Sequence, residues 1–179
     1  GPTISVPTNS TGNPCLTPPA GLCTEYADFQ DTVNLPPLLG GYTLTHQVCC
    51  RNSSIVNVAN SGTYGNTYTI QIPSLDTLCN SSPQFQSTAP IVLCVNDPLN
   101  VQLDATDPDG DSLFFEFCDI LEGGGQGGAG CNAIVPNPPC PPPYNSIPLV
   151  APSTAQNPLP SSAAPIAINA ANGTLSGTP

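Results

Sequence analysis

Polar and apolar residues alternate in short runs along most of this chain. Tyr42, Leu44, His46 and Val48 share one face of an extended segment, with Thr43, Thr45 and Gln47 on the other. Tyr68, Ile70 and Ile72 alternate in the same way with Thr67, Thr69 and Gln71. A period of two is that of a strand with one buried face, so both segments are predicted as half-buried strands whose Tyr42 and Tyr68 point into a core. Further strands are predicted over 26–35 (Phe29, Val33, Leu35), 54–58 (Ile55, Val56, Val58), 91–95 (Ile91, Leu93, Val95), 99–104 (Leu99, Val101, Leu103), 113–118 (Leu113, Phe115, Phe117) and 165–169 (Ile166, Ile168). No window keeps the spacing of an amphipathic helix for three turns, because Pro, Gly, Ser, Thr and Asn interrupt each one. Short strands separated by turn residues predict an all-β chain built as two tandem immunoglobulin-like β-sandwich domains.

Three regions lack that rhythm. Residues 1–23 open on an isolated β-prone triplet, Ile4, Ser5 and Val6, and continue as a Pro-rich arm or linker. Residues 122–163 form a Gly-rich and then Pro-rich excursion, "EGGGQGGAG" followed by "PNPPCPPPYNSIP". A loop of this length inside a compact domain is usually functional or pinned, and Cys131 and Cys140 are placed to pin it. The seam near residue 90 divides a first domain, 24–90, from a second, 91–179, that carries the 122–163 insertion.

Composition changes the picture in two ways. One cation, Arg51, stands against twelve carboxylates, for a formal charge of −11 in 179 residues. Ion pairs therefore cannot organise the fold, and nucleic acid or an anionic membrane is excluded as partner, since both are held by clustered Lys and Arg. Nine cysteines, with no Met or Trp, predict a disulfide-stapled chain in an oxidising, secreted or cell-surface location. No apolar run reaches the roughly 18 residues of a membrane-spanning helix, and the absence of a signal-like opening is read as a mature, processed product.

Cysteine separations favour Cys15 with Cys23 and Cys131 with Cys140, each closing a small Pro-rich loop. Strand pairing suggests Cys94 with Cys118. Cys79 then reaches Cys49 or Cys50, because neighbours on a strand point to opposite faces, and the one left over is the odd thiol. There is no CxxC pair, and the single His46 lies on an apolar face, so thiolate-bound metal is set aside in favour of disulfides.

Eight of the twelve carboxylates fall between Asp97 and Glu122, four of them in "DATDPDGDS" as Asp104, Asp107, Asp109 and Asp111. Carboxylates at alternate positions around a Gly can deliver several oxygens to one point, the requirement of calcium. The competing reading is a tight turn at Pro108, Asp109 and Gly110 with Asp side chains bonding nearby amides. An EF-hand is excluded, since the twelfth position counted from Asp107 is Cys118. Catalysis is not expected. The only His is read as a core-edge residue, there is no GxSxG, and turn carboxylates without a Trp make a poor sugar cleft. The Gly-rich run lacks the Lys and Ser/Thr of a phosphate loop.

Taken together, "GYTLTHQVCCRNSSIVNV", "LCNSSPQF", "PIVLCVNDPLNVQLDATDPDGDSLFFEFC" and "AINAANGTLSGTP" resemble a recurrent module of large secreted surface proteins of Bacteroidota, commonly exported by type IX secretion. The second half resembles a cadherin-like, dystroglycan-type immunoglobulin-like domain. The resemblance implies extracellular adhesion, surface-layer or filament roles. Domains of that pattern run on past "GTP" into further strands, so the second domain is read as C-terminally incomplete, with three explanations open: the sequence is a fragment, the missing strand comes from residues 1–10 of the same chain, or an arm of a neighbouring copy adds it. Residues 1–10 are the candidate donor arm, with Ile4 and Val6 pointing into a groove. Asp-Ser/Thr-apolar triplets resemble Bacteroidota O-glycan acceptors and nominate Thr32, Thr77 and Ser112, while Asn9, Asn52, Asn80 and Asn172 begin N-x-S/T sequons. The first expectation is a structural subunit of an extracellular filament or surface layer, a head-to-tail homopolymer formed by strand addition. The second is a binding module of a large adhesin, recognising polysaccharide or another cell surface.

Overall fold

The computed structural model describes residues 4–5, 25–26, 30–74, 80–86, 93, 95–159 and 164–179. Among them the protein is all-β: β1 (Ile4–Ser5), β2 (Glu25–Tyr26), β3 (Tyr42–Val48), β4 (Asn66–Ile72), β5 (Gln84–Phe85), β6 (Leu99–Gln102), β7 (Ala105–Thr106), β8 (Ala164–Ile168) and β9 (Thr174–Thr178), with single 3-10 turns at Ser61–Thr63 and Gly130–Asn132. The chain divides into two compact units, each discontinuous in sequence. One comprises Gly1–Pro36, Ser81–Glu116 and Ser161–Pro179; the other comprises Pro37–Asn80 and Phe117–Pro160. The seam expected near residue 90 lies outside the described residues.

The unit containing β3 and β4 is built on their antiparallel ladder, in which Leu44 faces Ile70, His46 faces Tyr68 and Gln47 faces Thr67. Residues expected as an insertion of the other domain belong to this unit. The Thr67 amide donates to the Leu121 carbonyl at 3.1 Å, Ile147 donates to Ile120 at 2.8 Å and Glu122 donates to Asn145 at 2.8 Å. Isolated bridges join Leu121 to Ser146 and Val58 to Leu149. These contacts extend the ladder through 120–122 and 145–149 to Val58, and Val58, Ile147 and Cys49 are buried there. Residues 54–58, expected as a strand, are turns that reach a bridge only at Val58.

Burial reverses the expected faces at one end of the ladder, around Gln47 and Thr67, whereas Thr43, Thr69 and Gln71 of the same polar face are exposed. Gln47 is 3% exposed and Thr67 8%, whereas Leu44 is 55% exposed and Tyr68 61%. The cause is the segment that covers the polar face. A Gly- and Pro-rich chain has no ladder of its own, and its amides and carbonyls need partners when buried. Side chains supply them. The Cys140 amide donates to Gln47 Oε1 at 2.7 Å, Gln47 Nε2 donates to Thr67 Oγ1 at 2.9 Å, and Thr67 Oγ1 donates to the Glu122 carbonyl at 2.6 Å. This relay ties both ends of the loop to both strands. Thr45 joins it from the same face, 2.8 Å from the Tyr144 hydroxyl. Gly123 is required by the approach, since a Cβ there would run into Thr67 Oγ1.

In the other unit, β6, β9 and β8 form a three-stranded sheet with β9 in the middle, and β5 pairs with β7. Ile166 of β8 is its buried apolar residue. The β8–β9 turn is closed by Asn169, whose Oδ1 accepts the amides of Ala171 at 2.9 Å and Asn172 at 3.2 Å. Gly173 then takes φ 73°, and a Cβ there would lie 2.8 Å from both the Leu103 carbonyl and the Phe115 ring. Residues 113–118 form no strand. The Phe115 amide instead donates to Ala170 at 3.0 Å, with Leu113 and Phe115 half-buried and Ser112, Phe114 and Glu116 exposed. Of the predicted strand at 26–35, Tyr26 lies in β2, 27–29 lie outside the described residues, and 30–35 form no strand, with Val33 exposed.

Candidate interaction surface

The outward face of the β3–β4 ladder presents Leu44 against Ile70 and His46 against Tyr68. All four side chains are exposed. The His46 and Tyr68 rings lie nearly parallel, 16° apart in plane with centroids 6.4 Å apart. His46, expected at a core edge, therefore stands in solvent stacked on a tyrosine. This position follows from the covering of the opposite face by the 122–145 segment.

Arg51 follows β3 beyond the last rung of the ladder, Val48↔Asn66. Its amide donates to the Tyr64 carbonyl at 2.9 Å, and its Nε is buried with no hydrogen-bond partner. Burial lowers the guanidinium's pKa from its ordinary value, while the neighbouring Tyr68 acts in the opposite direction. The single cation of the chain is thus partly desolvated. The turn that carries it starts at Cys49, whose amide donates to Ile134 at 2.8 Å.

Cys49 and Cys50 are bonded to one another, which corrects the expectation that one pairs with Cys79 and the other is the odd thiol. β3 ends at Val48, so the rule that strand neighbours point apart does not reach this pair. Cys131 and Cys140 form a disulfide across the loop. Cys118 is exposed and bonded to no described cysteine; its expected pairing with Cys94 falls outside the described residues. Cys15, Cys23, Cys79 and Cys94 lie outside the described residues.

The acidic turn closes on itself. Asp107 Oδ1 accepts the amides of Asp109 at 2.9 Å and Asp111 at 3.2 Å, and its carbonyl accepts Gly110 at 3.2 Å. Asp109 Oδ2 accepts the Ser81 amide. Among the described residues no three His, Cys, Asp or Glu side chains gather where they could hold a metal ion. Asp104, Asp107, Asp109 and Asp111 are thus not brought to one point, because two of them are turned onto backbone amides.

The remaining nominated residues are scattered. Ile4 pairs with Tyr26 in a two-residue ladder, and Val6 and Thr77 lie outside the described residues. Thr32 and Ser112 are exposed, as are Asn52, Asn80 and Asn172. Asn52 Oδ1 accepts both the amide and the hydroxyl of Ser54 at 2.9 Å.

Two open clefts border the Pro-rich loop. One, of about 200 Å³, is lined by Gln47, Glu122, Asn132, Cys140 and Asn145 among others; the other, of about 360 Å³, lies between Thr43, Leu44 and Thr45 and the prolines 139, 141 and 142, with Tyr144 beside them. The amide of Gln47 is committed to the relay. No described helix is long and apolar enough to cross a membrane. Compared with family models, with curated proteins and with solved structures, the chain matches none.

Proposed function

We propose that the chain is a secreted structural module whose identical copies assemble into an extracellular filament or surface layer. Its strands are read as parts of immunoglobulin-like sandwiches, of the kind found in the Bacteroidota surface modules that the sequence resembles. One observation carries this reading: the β3–β4 ladder leaves Leu44, Ile70 and Tyr68 exposed while the polar Gln47 and Thr67 on its other face are buried. Among the described residues only Cys49, Val58, Ile147 and Ile166 are buried apolar side chains, against fourteen large exposed ones. Contiguous apolar surface on a secreted chain marks an interaction site. Short sheets ending in outer strands β6 and β8 add a route for strand addition between copies. Surface glycans at Thr32 and Ser112 are compatible with this reading.

The test is sedimentation and negative-stain electron microscopy of the full chain, disulfides intact, over a wide concentration range. Ordered polymers are expected, and a chain that stays monomeric at every concentration refutes the proposal. The stacked, exposed His46–Tyr68 pair favours a second reading, an adhesin module that holds sugar rings on an aromatic face. Saturable chemical-shift changes at Tyr68 on titration with polysaccharide fragments would support it.

A further inference from the structure

β3 and β4 pair only with each other, so each strand has a second edge, and the rungs fix which backbone groups face outward there. The Thr67 amide leaves the ladder to reach Leu121. The Gln47↔Thr67 rung is therefore one whose amides and carbonyls point away from the partner strand. Every second rung shares this, which turns the N–H and C=O groups of Thr43, Thr45 and Gln47 outward along β3. The Cys49 amide, one step further on the same side, finds the Ile134 carbonyl at 2.8 Å. Among the described residues no backbone hydrogen bond engages the outward groups of Thr43, Thr45 and Gln47. A cleft of about 360 Å³ borders Thr43, Leu44 and Thr45, so the Pro-rich loop does not close over that stretch of the edge.

Unpaired edges are ordinarily protected by brevity, charge, Pro or a bulge. The other edges carry such protection. β1, β2, β5 and β7 are two residues each, β6 has four, β8 holds Pro165 and a register shift, and the outer edge of β4 is already engaged at Thr67. β3 runs seven residues in unbroken register with no Pro, no carboxylate and no Lys or Arg.

We propose that β3 of one copy pairs antiparallel with β3 of a second, about a two-fold axis at Thr45. The inference rests on the assembly reading and names one of its contacts. In this register Thr43 pairs with Gln47 of the second copy, Thr45 with its own counterpart, and Gln47 with the second copy's Thr43. Each such pair exchanges two N–H···O bonds, about six in all, whereas pairing through Thr69 and Gln71, the outward residues left on β4, allows about four. A second β3 is thus the occupant that satisfies most of this edge. Position 41 of the second copy falls opposite Cys49, where Ile134 already sits; there the chain leaves the strand in the turn closed by the Gly41 amide on Leu38 at 3.0 Å. On the outer face Leu44 lies against His46 of the second copy, and the exposed Leu44, Ile70 and Tyr68 of both copies join in one four-stranded surface. The contact is isologous, so a filament needs a second contact beside it.

The test is amide hydrogen exchange in the full chain, disulfides intact, followed by NMR from dilute to concentrated solution. The amides of Thr43, Thr45 and Gln47 are expected to exchange at least about tenfold more slowly once copies associate, with those of Thr69 and Gln71 unchanged. A charge test fixes the register. Leu44→Lys with His46→Glu sets opposite charges across the pair, and Leu44→Glu with His46→Glu sets like ones; both leave Gln47 and Thr67 in place. The first is expected to associate within about threefold of the parent and the second at least about tenfold more weakly. Circular dichroism checks that both remain folded, and the exchange measurement on the parent stands without them. Slowing at Thr69 and Gln71, with or without β3, means pairing through β4 and overturns the contact. Association with no slowing at Thr43, Thr45 and Gln47, or equal association of the two folded double variants, overturns it and leaves the assembly reading standing. A chain that never associates overturns both.

Discussion

The inverted sheet is open to a direct energetic test, because the two ways of assigning its faces predict opposite rankings for two substitutions three residues apart. Gln47→Ala removes both hydrogen bonds of a side chain that is 3% exposed, the 2.9 Å bond to Thr67 and the 2.7 Å bond from the Cys140 amide. Each bond contributes about 1 kcal/mol net, and leaving the Cys140 amide without its acceptor costs about 1 kcal/mol more, so the expected loss is about 3 kcal/mol. Leu44→Ala removes a side chain that is 55% exposed. Full burial of a leucine is worth about 1.5–3 kcal/mol, so less than half of that, about 1 kcal/mol, is at stake. Were Leu44 in a core, its truncation would instead cost about 2–5 kcal/mol, while an exposed Gln47 would contribute less than about 0.5 kcal/mol. Urea unfolding followed by circular dichroism, at dilution and with disulfides intact, gives the ranking. Hydrogen exchange at the Cys140 amide reports on the loop itself and should accelerate in Gln47→Ala but not in Leu44→Ala. A larger loss for Leu44→Ala than for Gln47→Ala would refute the assignment of the buried face.

Three other outcomes bear on the same structure. Replacing both Cys131 and Cys140 by Ser opens a loop closed over a separation of nine residues and should lower stability by about 2.5 kcal/mol on the chain-entropy account, read as a lower urea midpoint. Gly173→Ala puts a Cβ 2.8 Å from the Leu103 carbonyl at φ 73°; a loss of about 2 kcal/mol is expected, measured against Ala171→Gly in the same exposed turn. Chelator should leave the melting temperature unchanged, because the Asp107 and Asp109 carboxylates are engaged by backbone amides, whereas calcium at a hundred times its dissociation constant would stabilise the fold by about 2.7 kcal/mol.

The period of the pattern was legible and its sense was not. Alternation places β3 over 42–48 and β4 over 66–72 from side-chain character alone. Which face is covered depends on what covers it, and the cover here is a Pro- and Gly-rich loop that seeks hydrogen-bonding side chains rather than apolar ones. The loop's own sequence carried that signal: a long stretch with no ladder of its own must take its hydrogen bonds from elsewhere, and Gln47 and Thr67 were available on the face read as outward. The nine-residue separation of Cys131 and Cys140 suggested their bridge. The Cys49–Cys50 bond was obscured by treating both residues as part of a strand that ends one residue earlier. Two-residue strands such as β5 and β7 carry too few side chains to show any period. Residues 113–118 do alternate in exposure, yet they form no strand, because alternation reports which side faces inward and not whether a neighbouring backbone is in register.

The exposed apolar strip is a consequence of how the loop is held. A strand has two faces, and hydrogen bonding the 122–140 backbone through Gln47 and Thr67 uses the polar one, so Leu44, Ile70 and Tyr68 are left outside. Replacing the polar face with apolar residues would strip the loop of partners, and replacing the outer face with polar residues would leave the relay intact. The fold therefore gains only part of a core residue's burial from positions 44, 68 and 70, which are 55%, 61% and 45% exposed. The parts of these side chains that stay in solvent are available to whatever binds there, while Arg51 Nε is buried without a hydrogen-bond partner.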